Sequence, residues 1–296
     1  MTLRGLRFHL EAWVARALLG LLARLGPEAA SDLGGAVARA IGPLLPVSRV
    51  ADTNLRRALP ALDAAARRAV VRQVWDNLGR TAAEFPHVRH LGATAAGPGF
   101  ELVGMEQVAA VLAGGGAAIL FSAHMANWEV MLRAFQLFGR APATFYRAAS
   151  NPVVDRMIVA LRGGDGLRQF AKGRAGARAA MEHLRGGGLL GLLADQKMND
   201  GVAATLFGHT AMTAGAPATL ALRFSCPLVP IRVERLGPAR FRITVEPPLA
   251  HPATGERAAD VLALTQAMND RIEAWVRARP EQWLWLHRRW PKESGS

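Results

Sequence analysis

Hydrophobic and polar positions follow a helical rhythm over the first third of the chain. Leu10, Trp13, Val14, Ala17, Leu18, Leu21 and Leu22 recur at helical spacing, interrupted by Arg4, Arg7, Arg16 and Arg24. This predicts an amphipathic helix over 1–26 whose apolar face has a basic flank, suited to lying in a membrane interface. It makes a poor secretory signal, because Glu11 and Arg16 break the apolar stretch and no small-x-small cleavage site follows. Residues 27–91 read as helical throughout. Pro27 suits a first turn, the 44–46 segment ends one helix, and a long helix is expected over 63–86 through Val70, Val71, Val74, Trp75 and Leu78.

From about residue 99 the rhythm changes. Short apolar runs at 100–103, 117–123, 144–146, 189–194, 228–233 and 241–245 alternate with helical patterns near 105–113, 128–138, 152–162, 175–185 and 215–224. Such alternation predicts an α/β fold with a mostly parallel central sheet flanked by helices, behind a helical N-terminal part. The last two runs, joined by a short Gly-Pro linker, read as a hairpin, and a final helix is expected over 257–278. With no internal repeat and no disordered linker, 27–296 reads as one α/β domain, helical over 27–91 and with its α/β core over 99–296.

Composition narrows the classes. The 296 residues hold 36 Lys+Arg against 23 Asp+Glu, a net charge of +13 that favours anionic partners. No nucleic-acid-binding signature accompanies the charge and the basic residues are dispersed, so nucleic acid is not expected as a partner. The single cysteine, Cys226, rules out an intramolecular disulfide and a cysteine-based zinc site, and beside an apolar strand it reads as a core thiol. No metal is expected. The chain has no run of 18 uncharged apolar residues, so an orthodox transmembrane helix is not evident.

The sharpest local chemistry lies at 117–129, Ala-Ala-Ile-Leu-Phe-Ser-Ala-His-Met-Ala-Asn-Trp-Glu. A buried strand runs into a turn and then a helix. That places His124 just past the carboxyl end of a strand, where open α/β sheets bind ligands. Asn127 is a candidate N-cap and Glu129 falls in the helix's first turn. Across the turn His124 and Glu129 can meet, and a carboxylate on one imidazole nitrogen raises the basicity of the other. The pair reads as a general base. No His-Glu-x-x-His pair, Gly-x-Ser-x-Gly elbow or phosphate-binding glycine loop competes with it. Gly114–Gly116 and Gly186–Gly188 precede strands and read as helix-terminating loops.

The sequence resembles the late acyltransferases of lipid A biosynthesis, the lauroyl/myristoyl transferase family, over nearly its whole length. The resemblance rests on His124-Met-Ala-Asn-Trp-Glu129, which matches the family's His-x4-Asp/Glu box. It rests also on Tyr146-Arg147, Asn151-Pro152, the segment 166–172, Ala194-Asp195-Gln196, Leu206-Phe207-Gly208 and the stretch 282–290. It implies a glycerol-phosphate-acyltransferase-like fold and a membrane-apposed cleft at the cytoplasmic face of the inner membrane. It implies a fatty acyl thioester as co-substrate, carried by acyl carrier protein or CoA, with no other cofactor, and a phosphorylated glycolipid acceptor. The family commonly carries a longer uncharged N-terminal anchor, which Glu11 and Arg16 interrupt here. Phosphatidylinositol-mannoside acyltransferases share the box, so that acceptor class, or an aminolipid, stands as the alternative, with a non-catalytic lipid-binding protein as a more distant one.

On this reading His124 deprotonates the acceptor hydroxyl and Glu129 orients and stabilises the imidazolium. No activated Ser or Cys is present, so a ternary complex without an acyl-enzyme is expected. Arg147, after the only tyrosine, Tyr146, is suited to hold a lipid phosphate bidentately. Lys172 and Arg174, in a turn before a helix, suit phosphate or phosphopantetheine. Asp195 and Gln196 should share His124's sheet edge, where Asp195 either contacts the acceptor or organises the site. Asn127 is counted with the substrate-binding set. His287, Arg288 and Arg289 stand among Trp283, Trp285 and Trp290, a composition suited to a lipid headgroup zone.

Overall fold

The computed structural model describes residues 3–137, 139–146, 149–162 and 167–291. Four helices come first: α1 (Leu3–Arg24), α2 (Pro27–Ile41), α3 (Ser48–Ala58) and α4 (Ala64–Glu84). Pro27 opens α2, where its missing N–H costs nothing, and the Asp63 side chain caps α4 by accepting from Ala66 N–H. Then follow β1 (Gly99–Val103), α5 (Met105–Ala113), β2 (Ala118–Ser122), α6 (Glu129–Leu137), β3 (Ala143–Tyr146), α7 (Pro152–Leu161), β4 (Gln169–Ala171), α8 (Arg174–Arg185) and β5 (Leu189–Leu193). The rest comprises β6 (Lys197–Leu206), β7 (His209–Thr213), α9 (Ala216–Phe224), β8 (Leu228–Gly237), β9 (Arg240–Val245) and α10 (Arg257–Ala278).

Seven strands form one sheet in the order β1-β9-β8-β2-β5-β3-β4, with β6 and β7 as a separate antiparallel pair. Within the large sheet only β8 and β9 pair antiparallel, as the expected hairpin; the other pairings are parallel. All five residues of β2 are buried, as a central strand covered on both faces requires. Its side chains alternate between two cores. Ile119 and Phe121 pack with α3, α4, α10 and the C-terminal tryptophans, while Ala118 and Leu120 pack with α5 and α6.

The expected α/β fold, hairpin and helices are present. The short strand β4 and the β6–β7 hairpin were not foreseen. Cys226 is buried and its thiol is pushed up to about 11, first by burial, as suits a core thiol.

The N-terminal helices distribute apolar residues unusually. In α1 the inward positions include Phe8, Ala12, Leu19 and Leu22, yet Leu10, Trp13, Val14, Leu18 and Leu21 face outward, Trp13 being 67% exposed. Apolar residues therefore lie on both sides of α1, which is not the two-faced helix expected. In α2 the large apolar residues Leu33, Val37 and Ile41 all face solvent, followed by Leu44, 82% exposed. Its inner face is small: a Cβ at Gly79 of α4 would stand 2.2 Å from the Gly34 carbonyl oxygen, so the two backbones touch. Among the described residues no helix is long and apolar enough to cross a membrane.

Candidate active site

The strand order builds the site. β2, β5, β3 and β4 are neighbours and run parallel, so their carboxyl ends share one edge. Ser122 pairs with Leu193, and His124 and Asp195 each lie two residues beyond that pair. They arrive at the same level although 71 residues separate them. Tyr146 ends β3 and Lys172 follows β4 at the same edge.

Asp195 holds His124 twice. Its Oδ2 accepts the His124 main-chain N–H at 2.9 Å, and its Oδ1 lies 2.7 Å from His124 Nδ1. Trp283 Nε1–H donates to the same Oδ2 at 2.7 Å. The Asp195 side chain is fully buried. Burial alone would raise its pKa, but the His124 imidazole, its hydrogen bonds and His287 outweigh that and hold the carboxyl well below the usual carboxylate range. An ionised carboxylate only accepts, so Nδ1 carries the proton, and in the neutral ring Nε2 turns its lone pair toward the amide nitrogen of the exposed Gln196, 3.4 Å away. At His124 burial disfavours the charged form. The Asp195 charge and hydrogen bond, with a contribution from Glu129, outweigh burial and the opposing Lys172, and leave the pKa raised above 6.5.

Here the expected pairing needs correction. The imidazole partner is Asp195, not Glu129. Glu129 is clamped by Arg162 from the end of α7, with Nε to Oε2 at 2.9 Å and Nη2 to Oε1 at 2.6 Å, and it also accepts from Trp128 Nε1 at 3.2 Å. The guanidinium satisfies both carboxylate oxygens, so Glu129 reaches His124 only through its charge. The His124 and Trp128 rings meet edge-on with centroids 5.1 Å apart.

Two further readings change. Asn127 is wholly buried: its Oδ1 accepts the Glu129 N–H at 3.2 Å and its Nδ2 donates to Glu84 at 2.9 Å. It is the cap that sequence suggested, and its side chain is not free to meet a substrate. Asp195, with both oxygens engaged, organises the site instead of contacting an acceptor. The C-terminal cluster is core: Trp283, Trp285, Trp290 and Arg289 are all buried, and only Arg288 is exposed. The Arg289 guanidinium donates to Met212 O at 2.9 Å and Thr213 Oγ1 at 2.6 Å, and burial depresses it to about 10. His287 lies with its ring centroid 6.3 Å from that of His124, and burial lowers its pKa.

Of the remaining candidates, Tyr146 is half-buried, while Lys172, Arg174 and Gln196 are exposed, Arg174 as the first residue of α8. Arg147 lies outside the described residues. Sequence reasoning overlooked Arg162 and the Trp283 N–H. Arg162 carried no stronger signal than a basic residue at a predicted helix end, and Trp283 was one indole among several.

A buried carboxylate fixing an imidazole tautomer at the carboxyl edge of the sheet is an arrangement able to accept a proton at the second ring nitrogen. The model of the bacterial lipid A biosynthesis acyltransferase family matches residues 2–292, and the chain belongs to that family and is an acyltransferase. A comparison with curated proteins found no match.

Proposed function

We propose that the protein moves a fatty acyl chain from an acyl carrier protein or CoA thioester to a hydroxyl of a lipid A precursor at the cytoplasmic face of the inner membrane. The observation that carries this reading is the His124–Asp195 pair at the carboxyl edge of the sheet: Nδ1–H is committed to Asp195, which leaves Nε2, beside the exposed Gln196, to take a proton. Nε2 takes the proton of the acceptor hydroxyl as its oxygen attacks the thioester carbonyl. The imidazolium, stabilised by Asp195, then returns that proton to the departing thiolate, so the products are an ester and a thiol. Glu129 contributes its charge, held in place by Arg162. Lys172, Arg174, Gln196 and Tyr146 border the same edge and are assigned to the anionic groups of donor and acceptor, as is Arg147 from sequence. Membrane attachment is assigned to the outward apolar residues of α1 and α2 with the exposed Arg7, Arg16 and Arg24.

Mass spectrometry of total lipid A from cells lacking the protein, and from cells with it restored, tests the assignment. The expected result is one secondary acyl chain missing and regained. Unchanged lipid A with an altered second glycolipid would transfer the reading to that acceptor, and no lipid change at all would overturn it.

A further inference from the structure

A buried polar network lies beneath the catalytic turn, and nothing assigned so far uses it. Glu84, the last residue of α4, is fully buried. Its Oε1 accepts from Ser31 Oγ at 2.6 Å, from the main-chain N–H of Ala239 at 3.1 Å and from Arg235 Nη1. Its Oε2 accepts from Arg235 Nη2 at 3.0 Å and from Asn127 Nδ2 at 2.9 Å. Asn127 passes the hold onward by accepting the Glu129 N–H.

The same guanidinium reaches the turn by a second route. Arg235 Nε donates to Asn77 Oδ1 at 2.8 Å and Nη2 to Thr81 Oγ1 at 3.2 Å. Asn77 Nδ2 then donates to the carbonyl of Ala126 at 3.2 Å, and the single proton of the Thr81 hydroxyl is shared between that carbonyl and Asn77 O, each at 2.9 Å. Ala126 has φ of +49°, a left-handed conformation that a residue with a Cβ adopts only when its surroundings impose it. Its N–H is taken by Gln282 O at 2.9 Å, and the Gln282 side chain exchanges hydrogen bonds with the Arg235 main chain at 2.8 and 3.0 Å. The strained residue sits between His124 and Glu129, so its hold sets the relative position of both.

We infer that Glu84, locked by Arg235, is a positioning residue for acyl transfer, fixing the His124–Glu129 turn through Asn127 and the Ala126 carbonyl. This rests on the reading of His124 as the base. Glu84 touches no reacting atom; it acts by keeping Nε2 and the Glu129 charge where the substrates meet them, and misplacement by about 1 Å is enough to cost on the order of 10²-fold. Ser31 supplies the internal contrast, because it binds the same carboxylate from α2 and has no bond to the turn.

The test compares wild type, Glu84→Gln, Thr81→Val and Ser31→Ala in full-length protein, by steady-state kinetics and by amide hydrogen exchange at 124–130. Glu84→Gln should lower kcat by roughly 10²-fold with KM nearly unchanged, and exchange at 124–130 should accelerate. Thr81→Val, which keeps the side-chain volume, should show the same pattern more weakly and decides the matter if Glu84→Gln does not fold. Ser31→Ala should lower the melting temperature while kcat and exchange at the turn stay near wild type. Full kcat in Glu84→Gln or Thr81→Val, or a Ser31→Ala loss of kcat equal to theirs, overturns the inference. A wild type inert toward every hydroxyl acceptor would refute the acyl-transfer reading instead, and the exchange comparison would then judge Glu84's hold on the turn by itself.

Discussion

Asp195 grips both the main chain and the imidazole of His124, its Oδ2 accepting the N–H at 2.9 Å and its Oδ1 facing Nδ1 at 2.7 Å. One carboxylate therefore fixes where the histidine is and which nitrogen carries its proton.

His124→Ala should reduce acyl transfer by about 10²–10⁴-fold, the usual contribution of a general base. Folding should survive, since His124 lies past a strand end and belongs to neither hydrophobic core. Single-turnover transfer measured alongside the melting curve checks this: near-wild-type transfer, or a defect confined to melting temperature, would remove His124 from the chemistry.

Asp195→Asn should change the pH dependence as well as the rate. The base works when neutral, so kcat/KM in wild type should rise with pH through a His124 pKa above 6.5. Removing the Asp195 charge removes the main influence that favours the imidazolium, so the acid limb should move to lower pH while the plateau falls by about 10²-fold or more. A limb that stays in place would detach Asp195 from the titration.

Glu129 and Arg162 should behave as one unit. Glu129→Gln and Arg162→Met should each impair transfer, because each leaves a charge without its partner in a mostly buried setting. The double variant should be less damaged than the sum of the singles predicts. Additive losses in a double-mutant cycle would show that the clamp is incidental.

Attachment to lipid should depend on the outward faces of α1 and α2. Trp13→Ser with Leu18→Ser, and separately Ile41→Ser with Leu44→Ser, should each reduce co-flotation with vesicles containing anionic lipid, without lowering the melting temperature, because these side chains are exposed. Undiminished flotation in both would place the lipid contact elsewhere.

Gly79→Ala should destabilise the protein by about 1–3 kcal/mol, as overpacking does. The added methyl group would stand 2.2 Å from the Gly34 carbonyl oxygen, a backbone atom with no rotamer to move away. Thermal unfolding reads the loss directly.

Legibility of the sequence varied with the range of the interaction. The buried strands were plain because runs such as Ile119-Leu120-Phe121 are apolar and preceded by a glycine-rich loop. The strand β4 spans only three residues, and the exposed first half of β6 lacks an alternating pattern, so neither declared itself. His124 stood out at a strand end, and Asn127 as a cap, both local facts. Which carboxylate meets His124 depends on β5 inserting between β2 and β3, a strand order that no local pattern encodes. Five residues of spacing made Glu129 look like the partner when the structure supplies Asp195 from far along the chain. The C-terminal tryptophans failed for a related reason: composition suited a headgroup zone, but their burial is decided by α10 and the β6–β7 hairpin packing around them.

The bridge between Met125 and Trp283 has a consequence in time as well as in space. The turn bearing His124 is translated first, whereas Gln282, Trp283 and Leu284, which grip it through Ala126, Asp195 and the His124 carbonyl, emerge some 160 residues later at a pace of roughly 5–20 residues per second. A chain still on the ribosome thus has its histidine but not the bonds that fix the turn around it, and these close only when this late segment docks.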